Sequence, residues 1–218
     1  MRRKPCGVFA MADLFVSRHP LVRHKQTMLR RTTTDVRTFR ALVRELAQLL
    51  IFEAAYDLKL TPTTVKTPLD DYSGEMVAER VGLLPILRAG LGMVEAALDL
   101  VPNAQVWHLG LYRDHETLRP VTYYNKLPPE PTIDRAIVLD PMLASGGSAV
   151  AAVEILKNWG MKRIQFIGLI AAPEGVKALQ TAHPDVPIYL AAIDSHLNQS
   201  CYIVPGLGDA GDRQFVTG

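Results

Sequence analysis

Apolar runs alternate with short helical patterns between residues 135 and 193, and this alternation most limits what the chain can fold into. Three nearly uninterrupted apolar runs predict strands: "RAIVLD" (135–140), "RIQFIGLIAA" (163–172) and "PIYLAAI" (187–193). Two segments between them have the length and composition of helices, 148–159 and 173–183. Strands that are apolar throughout are buried on both faces, as in a parallel sheet covered by helices. The sequence therefore predicts an α/β fold with helices on both faces of a parallel sheet.

The N-terminal half is less regular but predicts elements of the same kind. Apolar residues at helical spacing predict a long amphipathic helix over 35–58, capped near Thr34 or Asp35. The other predictions are a strand over 81–87, a helix over 92–101, a strand over 105–112 and a polar hairpin at about 113–131. Pro85 weakens the strand prediction, because proline cannot donate a ladder hydrogen bond.

Bulk properties narrow the class of protein. The chain has 218 residues, of which 48% are hydrophobic and 21% charged, and its net charge is only +2. We expect residues 11–218 to form one domain and residues 1–10 to be a disordered tail, with the true start at Met1 or Met11. The small charge disfavours nucleic acid as a partner, and no apolar run is long enough to span a membrane. Two cysteines without metal spacing favour a reducing cytoplasm.

The segment "LDPMLASGGS" (139–148) predicts a phosphate-binding loop. Asp140 comes at the carboxyl end of a strand, where ligands bind in α/β sheets. Ser145-Gly146-Gly147-Ser148 then exposes backbone N–H groups at the start of a helix, where the helix dipole favours an anion. No lysine follows the glycines, so this is not a Walker motif. From these residues alone, a simple strand–helix turn explains the segment equally well.

Two further loops carry arginines and glycines. In "LLPILRAGLGM" (83–93), Arg88 follows a strand and could bind a pyrophosphate with two hydrogen bonds, although a surface arginine beside a turn fits equally well. "YRDHETLRP" (112–120) brings Arg113, His115 and Arg119 onto the hairpin, where a solvated face is the simpler interpretation. The tail "YIVPGLGDAGDR" (202–213) predicts a tightly turned loop whose main-chain groups can recognise a flat heterocycle.

Taken together and in this order, these segments closely resemble uracil phosphoribosyltransferases, members of the type I phosphoribosyltransferases of pyrimidine salvage. The resemblance runs from Arg18 to Gly218 and also includes "HPLVRHK" (19–25), "AAPEG" (171–175) and "AHPDV" (182–186). It implies the type I sheet plus a small hood formed by the N- and C-terminal segments, 11–35 and 194–218, and a protruding β-hairpin. The general type I pattern has a second acid where this chain has Pro141, as the uracil branch does.

The resemblance implies a reaction and a set of residues. Members join uracil to phosphoribosyl diphosphate (PRPP), giving UMP and pyrophosphate, with Mg²⁺ carried on PRPP. Arg88, Arg113, Asp140 and Asp209 are the implied catalytic residues. These four also bind PRPP, together with Pro141, Met142, Leu143, Ala144, Ser145, Gly146, Gly147 and Ser148. Uracil is bound by Ile203, Gly208, Asp209 and Ala210. Members form homodimers or larger homo-oligomers, and many are activated by GTP as an allosteric effector. The sequence of this chain determines neither its oligomeric state nor its response to GTP.

Three alternatives remain at this point. One is a regulatory or RNA-binding protein of pyrimidine metabolism that kept the fold, which the low net charge disfavours. Another is a catalytically silent ligand-binding relative, which the presence of Arg88, Arg113, Asp140 and Asp209 disfavours. The third is a phosphoribosyltransferase for a purine or orotate, which the 202–213 tail disfavours.

Overall fold

The computed structural model of the chain describes residues 13–113 and 120–217, without the side chains of 112–113 and 120–122. The strands are β1 Leu14–Val16, β2 Leu60–Lys66, β3 Asp71–Val77, β4 Val81–Leu87, β5 Gln105–Val106, β6 Leu109–Arg113, β7 Pro120–Asn125, β8 Arg135–Leu139, β9 Met142–Leu143, β10 Ile164–Ala171, β11 Ile188–Ile193, β12 His196–Leu197 and β13 Ile203–Val204. The helices are α1 Pro20–Arg30, α2 Val36–Ala54, α3 Val94–Leu100, α4 Gly147–Asn158, α5 Pro173–Ala182 and α6 Ala210–Phe215, with a 3-10 helix at Ala89–Met93. The N-terminal tail expected over residues 1–10 lies outside the described residues.

A large sheet organises the fold. Its strands follow the order β1-β11-β10-β8-β4-β6-β7, with β5 beside β4 and β9 beside β10. Every pairing from β1 to β6 is parallel, and only the β6–β7 pairing at the edge is antiparallel. The carboxyl ends of β4, β8, β10 and β11 therefore meet at one edge of the sheet. The predicted parallel sheet is confirmed.

Each face of the sheet is covered by a separate apolar core. α2 and α3 pack on one face, where α2 buries Phe39, Val43, Leu46 and Leu50. α4 and α5 pack on the other face through Ala152, Val153, Leu156, Val176 and Leu179. The predicted cap is present, since Asp35 accepts a hydrogen bond from the Thr38 N–H at 3.0 Å. Helices on both faces are thus confirmed.

Pro85 lies inside β4 without breaking it, because its missing N–H falls at a gap in the sheet. The Leu83 carbonyl accepts from the Trp107 N–H, so Leu83 bonds toward the β5 side. Alternate residues of a parallel strand bond to opposite neighbours, and Pro85 therefore faces the same side. On that side β5 has already ended at Val106, and β6 begins only at Leu109.

Other predicted elements differ in detail. The helix predicted over 92–101 begins as the 3-10 helix and becomes α-helical only at Val94. The strand predicted over 105–112 is interrupted at Trp107 and His108, which separates β5 from β6. The hairpin predicted at 113–131 is formed by β6 and β7, so it begins earlier, at Leu109, and its strands end earlier, at Asn125. Residues 114–119 between the two strands lie outside the described part.

Several elements were not predicted, and α1 and the β2–β3 hairpin are the largest of them. α1 was missed because it buries only Val22 and Leu29, one residue near each end, and this leaves a weak periodic signal. The β2–β3 hairpin was missed because nearly all its residues are exposed on both sides, so its sequence shows no apolar–polar alternation. Among the described residues, no helix is long and apolar enough to cross a membrane.

Candidate active site

Three of the predicted segments meet at the carboxyl edge of the sheet. Arg88 follows β4, Asp140 follows β8, and the tail loop after β13 reaches the same edge. The Gln214 side chain ties the tail to the loop after β4, donating to the Ala89 carbonyl at 3.1 Å. The Asp140 and Asp209 carboxylates lie close enough for Asp209 to act electrostatically on Asp140. The fold thus brings together residues separated by more than half of the chain.

The segment from Asp140 to Ser148 forms a cleft at the start of α4. Residues 140 and 142–149 line a cavity of about 70 Å³. Gly146 is the residue before α4 and has φ +84°, a left-handed conformation that favours glycine. The first N–H groups of α4 therefore point into a concave loop, as phosphate binding requires.

α5 supports this loop from behind through Gly175. A Cβ at Gly175 would lie 2.3 Å from the Ala144 carbonyl oxygen and 2.5 Å from that of Leu143. α5 thus packs directly against the main chain of the loop, at a distance that only glycine allows. Pro173 starts this helix at its first position. The close packing of Gly175 and the position of Pro173 give a physical reason for the "AAPEG" segment.

Asp140 has an unusual electrostatic environment. Burial of its carboxyl group, together with the charge of Asp209, raises its pKa from 3.8 to about 7. The Met142 N–H, 3.3 Å from Asp140 Oδ1, opposes this rise by donating to the carboxylate. A carboxyl group at this pKa is half ionised near neutral pH, which is typical of a functional site.

Arg88 is positioned at the mouth of the site. Its side chain is 55% exposed, with Nη1 3.0 Å from Thr217 Oγ1 and Nη2 3.4 Å from Asp212 Oδ1. Behind it, a Cβ at Gly90 would lie 2.3 Å from the Leu139 carbonyl oxygen, so the turn packs tightly against the end of β8. The guanidinium is therefore accessible to an anionic ligand while its backbone is fixed.

The tail forms the tightly turned loop that its composition predicted. The Val204–Pro205 peptide bond is cis, and Gly206 and Gly208 have φ +62° and +81°. Ile203 is buried, and the Asp209 carboxylate caps α6 by accepting from the Asp212 N–H at 2.9 Å. In the part of the chain that the structure describes, no hydrogen bond engages the Gly208 main chain, so its groups are available to a ligand.

Arg113 ends β6, and its side chain lies outside the described part. His115 and Arg119 lie wholly outside it. The role predicted for Arg113 therefore stays a prediction.

Sequence reasoning missed three charged residues that hold the tail. Arg30, at the end of α1, forms an ion pair with Asp194, directly after β11. Arg213 donates to the Leu29, Arg31 and Leu207 carbonyls and stacks on the ring of Phe39 at 4.2 Å. Asp194 could have been found, since like Asp140 it follows a buried strand at the carboxyl edge. The two arginines gave no signal, because their partners are more than 160 residues away or are main-chain carbonyls.

Comparison with known proteins identifies the family. The model of the uracil phosphoribosyltransferase family matches residues 16–217. Proteins named uracil phosphoribosyltransferase from Roseiflexus castenholzii and Geobacillus kaustophilus are 67% and 53% identical over 208 residues. Each alignment covers 95% of this chain and 100% of the relative.

Solved structures agree with this match. The AQ2163 protein from Aquifex aeolicus is 36% identical, has a TM-score of 0.89, and aligns over 94% of this chain and 99% of its own. A hypoxanthine phosphoribosyltransferase from Staphylococcus aureus, 10% identical with a TM-score of 0.52 over 81% of this chain and 82% of its own, shares the fold alone. The chain therefore belongs to the uracil phosphoribosyltransferase family.

Proposed function

We propose that the chain transfers the 5-phosphoribosyl group from PRPP to N1 of uracil, giving UMP and pyrophosphate. The observation that carries this proposal is the meeting of a concave loop at the start of α4, an accessible arginine and a tightly turned glycine-rich tail loop at one sheet edge. Relatives at 67% identity over 95% of the chain bear the name of this activity.

The proposed PRPP site combines the loop after β8 with Arg88. Residues 144–148 hold the 5′-phosphate at the start of α4, where N–H groups and the helix dipole favour an anion. Asp140 binds the ribose hydroxyls, with Pro141, Met142 and Leu143 completing the loop. Arg88 binds the pyrophosphate, and Arg113 reaches it from the β6–β7 hairpin.

Asp209 supplies the carboxylate that the phosphate loop lacks at Pro141. Its charge acts on Asp140, so the two acids form a pair although they come from separate segments of the chain. Two carboxylates also suit Mg²⁺ brought by PRPP, since Mg²⁺ is usually bound by one or two carboxylates plus substrate phosphates. When bound, the ion neutralises charge on the leaving diphosphate.

Catalysis requires charge stabilisation on both sides of the breaking bond. As pyrophosphate leaves, negative charge grows on it and positive charge grows on the ribosyl carbon. Arg88 and Arg113 stabilise the leaving group, and the Asp140–Asp209 pair stabilises the ribosyl cation. N1 of uracil then attacks the face of the sugar opposite to pyrophosphate, and its proton passes to Asp209 or to water.

Uracil recognition is assigned to Ile203, Gly208, Asp209 and Ala210. Uracil presents O4 as an acceptor and N3–H as a donor, and cytosine reverses both. The Gly208 main-chain groups cannot exchange donor for acceptor by rotating, as a side-chain amide can. We expect cytosine to be used on the order of 10⁴-fold less efficiently than uracil. Comparable kcat/KM values for the two bases would contradict the main-chain account.

We also propose that residues 11–218 form one domain in which the hood combines 11–35 with 194–218. The hydrogen bonds from Arg213 to the Leu29 and Arg31 carbonyls and the Arg30–Asp194 ion pair support this arrangement. Limited proteolysis should leave residues 13–35 and 194–217 equally protected.

A homodimer is the proposed assembly. Phe52 of α2 is 72% exposed, and Tyr56, two residues after the end of α2, is 95% exposed. Phe52 lines a largely apolar cavity of about 640 Å³ that is also lined by Met76 and Val77 of β3. Large exposed apolar side chains beside an apolar cavity favour an interface with another chain. Light scattering should give twice the mass of one chain. We propose a cytoplasmic location from the two cysteines without metal spacing. Activation by GTP is proposed from the family alone, and a GTP titration of activity tests it.

The test of the proposed function is UMP formation from uracil, PRPP and Mg²⁺ by the purified protein. Arg88→Ala should lower kcat about 10²–10³-fold, as for other preorganised charge contacts. Arg80→Ala is the matched control, because Arg80 forms an exposed ion pair with Asp134 at the opposite end of β4. Absence of UMP, with and without GTP, would refute the proposal.

A further inference from the structure

A partly buried ion pair joins α1 to the C-terminal part of the chain. Arg30, the last residue of α1, places Nη1 2.7 Å from Asp194 Oδ2 and Nη2 2.5 Å from Oδ1. The Asp194 side chain is 4% exposed and that of Arg30 21%. Asp194 is itself anchored to the sheet, because its N–H donates to the Ala171 carbonyl at 2.8 Å. The bidentate geometry fixes both side chains.

The same pair holds both main-chain groups of one residue in the tail loop. The Gly206 N–H donates to Asp194 Oδ2 at 2.8 Å, and the Gly206 carbonyl accepts from Arg30 Nη1 at 2.7 Å. Gly206 has φ +62°, and a Cβ there would lie 2.0 Å from the Ile203 carbonyl oxygen. We call this arrangement of Arg30, Asp194 and Gly206 the loop clamp. It fixes the tightest point of the turn through charge-assisted hydrogen bonds.

The loop clamp lies between the residues assigned to uracil. Gly206 is three residues after Ile203 and two residues before Gly208. The next carbonyl, that of Leu207, accepts from Arg213 Nη1 at 2.8 Å. Both main-chain groups of Gly206 and the carbonyl of Leu207 are therefore bound to charged side chains, whereas the main-chain groups of Gly208 are left for a ligand.

We infer that Arg30 and Asp194 are positioning residues for the base: by clamping Gly206 they set where the Gly208 main chain meets uracil. This inference rests on the proposed function. Neither side chain is assigned to PRPP, and the phosphate loop and Arg88 stand on other elements. Asp209, assigned to both substrates, is held separately, because its carboxylate caps α6 by accepting from the Asp212 N–H at 2.9 Å. Loosening the clamp should therefore weaken use of uracil much more than use of PRPP. A residue that only stabilised the fold would show no such preference.

The experiment measures kcat and KM for uracil and for PRPP in three variants. Arg30→Lys keeps the charge but loses the planar fork that reaches Asp194 and Gly206 together. The double variant Arg30→Met with Asp194→Asn removes both charges, so that no unpaired buried ion is left to unfold the protein. Lys25→Gln is the matched control, because Lys25 lies on the same helix and pairs with Glu45 of α2 at 2.6 Å without touching the loop.

We expect kcat/KM for uracil to fall about 10- to 100-fold in the double variant, as loss of charge-assisted hydrogen bonds predicts, and less in Arg30→Lys. KM for PRPP should stay within about twofold of the wild-type value. In Lys25→Gln, kcat/KM for uracil and KM for PRPP should both stay within the same range. Circular dichroism and thermal melting confirm that each variant is folded.

Three results would overturn the inference. The first is an unchanged KM for uracil in folded variants, and the second is an equal loss for uracil and PRPP. The third is a loss in Lys25→Gln as large as that in Arg30→Lys, since it would show that α1 acts only by docking on α2. UMP formation by the wild-type chain separates these results from failure of the proposed function, which would remove the inference as well.

Discussion

Replacing Asp140 by asparagine should stabilise the folded protein while impairing the enzyme. Burial and the neighbouring Asp209 charge raise the folded-state pKa of Asp140 from 3.8 to about 7. Below pH 3.8 the carboxyl is protonated in both the folded and the unfolded state, so its ionisation does not change the free energy of unfolding. Between pH 3.8 and about 7 only the unfolded chain is ionised, so the free energy of unfolding falls as pH rises. Above about pH 7 both states are ionised and the loss is constant.

The size of the effect follows from the shift. A rise of about three pKa units corresponds to about 4 kcal/mol of lost stability at high pH. Asparagine keeps an acceptor for the Met142 N–H but cannot ionise. The difference in free energy of unfolding, Asp140→Asn minus wild type, should therefore increase by about 4 kcal/mol between about pH 4 and about pH 8.5.

Urea titrations at several pH values measure this difference. Asp134→Asn is the control, because the pKa of Asp134 is shifted in the opposite direction: Arg80 lowers it to about 2. The stabilisation by Asp134 is present above pH 3.8 and is lost only as pH falls towards about 2, so its difference should be flat over the measured range. A flat difference for Asp140→Asn as well, or one that decreases with pH, would refute the reasoning.

Three further substitutions test packing and buried charge. Gly175→Ala places a Cβ 2.3 Å from the Ala144 carbonyl oxygen. It should lower the free energy of unfolding by about 1–3 kcal/mol and raise KM for PRPP. An unchanged KM would show that α5 does not support the loop. Gly146→Ala, at φ +84°, should cost about 1–3 kcal/mol in urea titrations and also raise KM for PRPP, and wild-type values would contradict the strain. Arg135→Met removes the partner of a buried ion pair, in which the Arg135 side chain is 1% exposed and that of Glu79 is 5% exposed. It should lower the free energy of unfolding by about 3–5 kcal/mol and leave kcat unchanged. A more stable variant would show that the buried pair is dispensable.

Much of the sheet could be predicted because its strands are buried on both faces. The prediction for β4 has the observed bounds, those for β8 and β11 differ by one residue at one end, and that for β10 differs by one residue at each end. The signal fails where burial fails. The exposed β2–β3 hairpin has no apolar face to reveal it, and α1 shows only two buried residues, Val22 and Leu29.

The site was predictable to the extent that each residue sits beside its own strand. Arg88 and Asp140 follow β4 and β8 directly, and the rule that ligands bind beyond strand ends applies to both. The loop clamp could not be predicted, because Arg30 lies on an unpredicted helix and its partner Asp194 is 164 residues away. Local sequence carries no information on such a pairing.

The bonds from α1 to the tail also bear on how a newly made chain becomes an enzyme. Arg213 closes a loop of 184 residues when it reaches the Leu29 carbonyl, whereas the β8–α4–β10 unit with the phosphate loop is local. Local contacts form before distant ones. During synthesis the phosphate loop can therefore fold while the ribosome still holds the tail. The nascent chain would have its phosphate loop and Arg88 in place before it had Asp209 or the residues that distinguish one pyrimidine from another.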